Sequence, residues 1–62
     1  MKTKMYTVKC DGMFCGDSLR GLATSADRPF RNMTSSEETV ARLRMRSLER
    51  QYPGRRFEVV EV

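Results

Sequence analysis

Residues 5–15 read MYTVKCDGMFC, and the way they are paired decides the fold. Tyr6, Val8 and Cys10 alternate with Thr7 and Lys9, the period of a strand with one buried side. Asp11-Gly12 follows, and an Asp-Gly pair between two such runs is a strong hairpin signal because both central residues tolerate positive φ. A two-residue loop sets Cys10 opposite Met13 and Val8 opposite Cys15. Val8, Cys10, Met13 and Cys15 then share one face, so apolar pattern and turn chemistry agree on one register. The hairpin is expected over about residues 4–15.

That register makes Cys10 and Cys15 diagonal neighbours. Diagonal Cβ atoms lie about 7 Å apart or somewhat less, whereas a disulfide wants roughly 3.5–4.5 Å. Two buried, reduced thiols are the expected state; a redox or metal-binding pair is the alternative. The chain has no histidine, and two cysteines fall short of the usual four-ligand zinc set. No metal or cofactor is expected.

Residues 16–33 are rich in Gly, Ser, Asp and Pro and read as a loop. Leu19 and Leu22 are expected to pin it to the core. Phe30 to Met33 reads as a short third extended segment with Phe30 turned inward. Beyond it, Ser35 with Glu38, or Thr34 with Glu37, fits a capping box, and Pro53-Gly54 ends the run. One helix is expected over about residues 36–52. Ala41, Met45, Leu48 and Tyr52 recur on one helical face, flanked by Val40 and Leu43. Arg44 interrupts the stripe, its stem laid on apolar surface and its head in water.

The C-terminal run RRFEVVEV reads as a strand over about residues 56–61. Phe57 and Val59 sit on one parity and Val60 and Val62 on the other, which leaves its inward face open. The expected architecture is a single α+β domain: a small, mostly antiparallel sheet in the order strand, strand, short third strand, helix, strand, with the helix on one face.

Size narrows the functional classes. A chain of 62 residues buries only about 60% of its unfolded surface, leaving little room for an enclosed active site. No apolar run approaches the roughly 20 residues that cross a bilayer. The N-terminal MKTKMYTVKC has lysines without an apolar stretch behind them, so no signal peptide is read and a cytosolic setting is expected. Without histidine or a phosphate-binding glycine loop, no catalytic residue is assigned.

The net charge of +4 turns attention to nucleic acid or an acidic partner. Arg42, Arg46 and Arg50 are spaced by four and form a stripe away from the apolar face, which Arg55 and Arg56 continue past the helix end. Guanidinium groups in a row can track phosphates. The same stripe also has a plain structural explanation, because Glu38 precedes Arg42 by four and Glu49 follows Arg46 by three, pairs that support a helix. No helix-turn-helix, zinc-finger or ribonucleoprotein motif is present. Phe14 is the other candidate. The register points it away from Val8 and Cys15 and beside Lys9, where it either anchors a partner or is covered by the loop at residues 19–30. Phe14, Val60 and Val62 are the expected protein contacts, and a homodimer is a further option for so small a domain.

The YTVK strand, the DG turn, the PF segment before a Ser/Thr-Glu helix start and the closing YPGRRFEVVEV together resemble short, uncharacterised bacteriophage and prophage proteins of strand–strand–helix–strand layout. The likeness is one of layout across nearly the whole chain. It implies a bacterial host cytosol and an accessory role exerted by binding a host or phage protein. It transfers no catalytic residue.

Overall fold

The computed structural model describes residues 3–62; residues 1 and 2, the start of the stretch read above for a leader, lie outside the described residues. The elements are β1 (Tyr6–Cys10), β2 (Met13–Ser18), β3 (Gly21–Ser25), a 3-10 turn (Arg31–Met33), α1 (Glu38–Gln51) and β4 (Phe57–Glu61). The four strands form one antiparallel sheet in the order β3-β2-β1-β4. The helix packs against β1 and β4, giving an α+β fold.

The first hairpin has the expected register. Cys10 pairs with Met13 and Lys9 with Phe14. Asp11 at φ +51° and Gly12 at φ +85° close it, the paired positive φ values of a type I′ turn that matches the strand twist. Val8, Cys10 and Cys15 are buried, and with Met33, Leu48 and Phe57 they form the core. Met13 shares their face but remains 38% exposed, because it sits beside the turn at the tip of the hairpin.

The segment 16–33 is not a loop. β2 continues to Ser18 and turns back into β3, pairing from Phe14↔Ser25 to Ser18↔Gly21. Leu19 and Arg20 span the turn without positive φ, and Gly21 takes φ +110°, so the positive φ that Asp-Gly supplies within the first hairpin turn is supplied here by a glycine just after the turn. The third strand therefore lies at Gly21–Ser25, while Phe30–Met33, expected to be extended, carries the 3-10 turn. Leu22 packs against the core as expected, but Leu19 does not: it is fully exposed at the hairpin tip.

The 3-10 turn is a wedge. β1 gives its outer edge to β4 along its whole length, so the bridge between Tyr6 and Ser35 must lie on the β2 side. Asn32 Nδ2 donates to the Asp17 carbonyl at 2.6 Å, and the Thr7 hydroxyl donates to the Met33 carbonyl at 3.2 Å. The segment thus fills a mouth where β1 and β2 part beyond Lys9↔Phe14. Phe30 lies over Gly16, where a Cβ would overlap its ring. Gly16 shares parity with Phe14, so Phe30 covers the side of the sheet away from the helix.

The helix starts two residues later than expected, and no capping box forms. Glu37 is the N-cap and makes no side-chain cap bond; instead the Ser35 Oγ accepts the Glu37 N–H at 3.1 Å, a local turn that competes with the box. Ala41 and Leu48 are buried on the expected face, with Met45 and Tyr52 partly buried beside them. Leu43 is exposed on the back of the helix. Arg44 departs from expectation: its Nη1 is buried and has no hydrogen-bond partner, so the guanidinium is not wholly in water.

Candidate functional site

Strand pairing resolves which side chains share a surface. Lys9 faces Glu58 across β1 and β4, and Thr7 faces Val60. The Val62 N–H donates to the Met5 carbonyl at 2.8 Å, continuing the same alternation. Phe14, Lys9, Glu58, Val60 and Val62 therefore lie on one side, and Val8, Cys10, Cys15, Phe57 and Val59 on the side under the helix. The mixed parity of the C-terminal strand has a simple meaning: Phe57 and Val59 build the core, while Val60 and Val62 face away from it.

The three apolar residues expected as protein contacts are thus on the one sheet face that no helix covers. Phe14 and Val60 are half-buried and Val62 is exposed. Phe14, opposite Lys9, and Val60, opposite Thr7, flank β1 from two strands, about 10 Å apart across the sheet and two residues apart along it. The Lys9 Nζ lies 4.8 Å from the Phe14 ring centroid, a cation–π contact that leaves the ring partly open. Among the described residues Thr7 is the one buried polar residue of this face, covered by the wedge. Phe30, placed inward by the sequence, adds a half-buried ring to this helix-free face. The signal that would have placed it is the unshielded backbone of Gly16, against which a ring can lie flat.

The arginines occupy another part of the surface. Arg42, Arg46 and Arg50 are exposed. Arg42 pairs with Glu38 at 3.3 Å, the only ion pair among the described residues, and the expected Arg46–Glu49 pair does not form. Arg55 and Arg56 are held at the β1–β2 turn: the Arg55 Nη1 donates to the Cys10 Sγ at 3.8 Å, and the Arg56 N–H donates to the Asp11 Oδ1 at 3.1 Å. Contact with the Cys10 sulfur raises the Arg55 pKa further.

Neither cysteine is bridged, and both are buried. The Cys15 thiol donates to the Val8 carbonyl at 3.3 Å. Burial first, and the neighbouring Cys10 second, push its pKa from 9.0 to about 11. A thiol in that environment stays protonated at neutral pH and is a poor nucleophile. Among the described residues, no group of three or more Cys, Asp and Glu converges as a metal site. No helix among them is long and apolar enough to cross a membrane.

A shallow cleft of about 500 Å³ opens between the helix, the 3-10 turn and the end of β2, lined by Asp17, Ser18, Leu19, Asn32, Met33 and Arg44. The sequence offered no hint of it, because its walls come from three separate elements. Comparison with known proteins yields no match to any family, curated protein or solved structure.

Proposed function

We propose that this chain is a non-catalytic binding module of phage or prophage origin, acting in a bacterial cytosol by engaging a host or phage protein through its helix-free sheet face. The observation that carries this reading is the shared placement of Phe14, Val60 and Val62 opposite the helix, with Phe30 and Lys9 beside them. Apolar side chains on an otherwise charged chain, with an aromatic partly open, are what a protein partner buries at the centre of a contact. Lys9, on the strand between Phe14 and Val60, and Glu58 opposite it add charges of both signs to this surface.

The test is affinity capture from host lysate with the wild type and with a Phe14→Ser/Val60→Ser double variant, each first shown to be folded by circular dichroism. A protein held in stoichiometric amount by the wild type, lost with the double variant and kept by Arg46→Ala/Arg50→Ala supports the reading. Equal capture by the wild type and both double variants ends it.

A second reading is nucleic-acid binding through Arg42, Arg46, Arg50, Arg55 and Arg56. What favours it is that Arg46 and Arg50 are exposed and have no acidic partner among the described residues. Filter-binding titrations with duplex DNA, single strands and RNA at two salt concentrations decide it. Phosphate contacts give steep salt dependence, which Arg46→Glu/Arg50→Glu abolishes; absence of binding at low salt rules this reading out.

A further inference from the structure

The open edge of β4 offers a second contact, of a different kind from the sheet face and independent of it. At one end of the β1–β4 seam the Asp11 N–H donates to the Arg56 carbonyl at 2.8 Å, and at the other the Val62 N–H donates to the Met5 carbonyl at 2.8 Å. Backbone groups alternate along an antiparallel strand, so Arg56, Glu58, Val60 and Val62 turn theirs toward β1. Phe57, Val59 and Glu61 turn theirs outward. Among the described residues no hydrogen bond reaches those outward groups from elsewhere in the chain.

Natural edge strands are commonly blunted by lysine, proline, a bulge or a covering loop. β4, Phe-Glu-Val-Val-Glu, has neither lysine nor proline, and its pairing with β1 runs without a bulge from Cys10↔Phe57 to Tyr6↔Glu61. The opposite edge differs. β3 is Gly-Leu-Ala-Thr-Ser, poor in strand-forming residues.

We propose that β4 pairs antiparallel with β4 of a second copy, about a two-fold axis at Val59. The backbone alternation and the charges select this register. A two-fold centred on Glu58 or Glu61 sets glutamate directly against glutamate, which disfavours the pair. One centred on Val60 leaves Phe57 beyond the overlap. Centred on Val59, all five residues of β4 overlap, every outward group finds a partner, Phe57 faces Glu61 of the other copy, and Glu58 faces Val60. The result is a continuous eight-stranded sheet with both helices on one face and running antiparallel by symmetry.

The helix flank that turns toward this edge is compatible with its own copy. Arg44, Ser47 and Gln51 line the cleft beside Asp17 of β2, so the other flank, with Glu38, Arg42 and Glu49, lies on the β4 side. It carries both signs and presents no single-sign barrier to an identical surface. A domain with so few fully buried residues also gains from covering one of its edges.

The experiment combines light scattering over a concentration series with amide exchange at low and high concentration. The expected result is a mass that rises roughly twofold, with slowed exchange at Phe57, Val59 and Glu61 only in the concentrated sample. Glu58 and Val60 amides, bonded to β1, stay protected in both. Glu61→Pro removes an outward N–H without touching the β1 ladder. It should return the mass to one copy while Glu58 and Val60 remain protected. A single-copy mass throughout overturns the proposal, as does a doubled mass with Glu61→Pro. A doubled mass with the Phe57, Val59 and Glu61 amides still exchanging freely also overturns it, moving the contact to another surface and leaving the sheet-face reading standing.

Discussion

The buried hydroxyl of Thr7 donates to the carbonyl of Met33 at 3.2 Å, and this bond fastens the 3-10 turn into the mouth between β1 and β2. Residues 26 apart in the chain are tied at the point where the sheet would otherwise split. Thr7 faces away from the core formed by Val8 and Cys10, so the wedge lets a sheet with one helix bury part of its second side.

Thr7→Val keeps the shape and removes the donor, leaving the Met33 carbonyl unpaired. The expected loss is about 1–2 kcal/mol, read as a lower urea midpoint at unchanged slope. Thr7→Ser, which keeps the hydroxyl, should lose less of this bond.

Gly16 lies beneath Phe30, and an added Cβ meets the Cβ, Cγ and Cδ1 atoms of that residue. Those atoms are near the backbone and cannot swing clear. Gly16→Ala should cost about 1–3 kcal/mol, seen as a drop in melting temperature. In a Phe30→Ala background the same change should cost less, and the non-additivity in a double-mutant cycle measures the contact.

Arg44 has an Nη1 out of water without an acceptor. Arg44→Met retains most of the apolar stem and removes the desolvated charge, so stability should rise by about 1 kcal/mol. A lower denaturation midpoint for this variant would show that the guanidinium is paired in solution, with Asp17 of the same cleft as the nearest acid on the wall.

Leu19 protrudes fully at the tip of the β2–β3 hairpin. Leu19→Ser should change stability by no more than about 0.5 kcal/mol and improve solubility. A larger loss in chemical denaturation would mean that the tip is buried in solution.

The Cys15 thiol, raised from 9.0 to about 11 by burial, couples folding to alkaline pH. Below pH 9 both folded and unfolded states hold the proton and the full contribution is present. Between pH 9 and 11 the unfolded chain releases its proton while the folded one keeps it, so stability falls as pH rises. The loss grows through the range in which the unfolded thiol is ionised and the folded one is not. Urea titrations from pH 8 to 11 should show the decline, and Cys15→Ala should flatten it on a lower baseline.

How much of this was readable from the chain differs between elements. The β1–β2 register was legible because Asp11-Gly12 selects its own turn and the Val8, Cys10, Cys15 alternation admits one pairing. The buried face of α1 was legible through Ala41 and Leu48, which recur at the helical period. β3 was not: Gly-Leu-Ala-Thr-Ser has weak strand preference and no Asn-Gly turn, so its conformation comes from the partner strand. The candidate surface was half legible. Phe14 and Val60 could each be assigned a parity within its own strand, but their meeting on one face depends on β4 pairing with β1, some fifty residues away in sequence.

Local chemistry therefore settled the turn, the helix and its apolar side, since those depend on dihedral preference and on spacing between near neighbours. Strand order, the wedge at Met33, the cleft around Arg44 and the two faces of the sheet came from contacts between distant segments. Such contacts follow from which surfaces can be buried together, and no short stretch of residues encodes that choice.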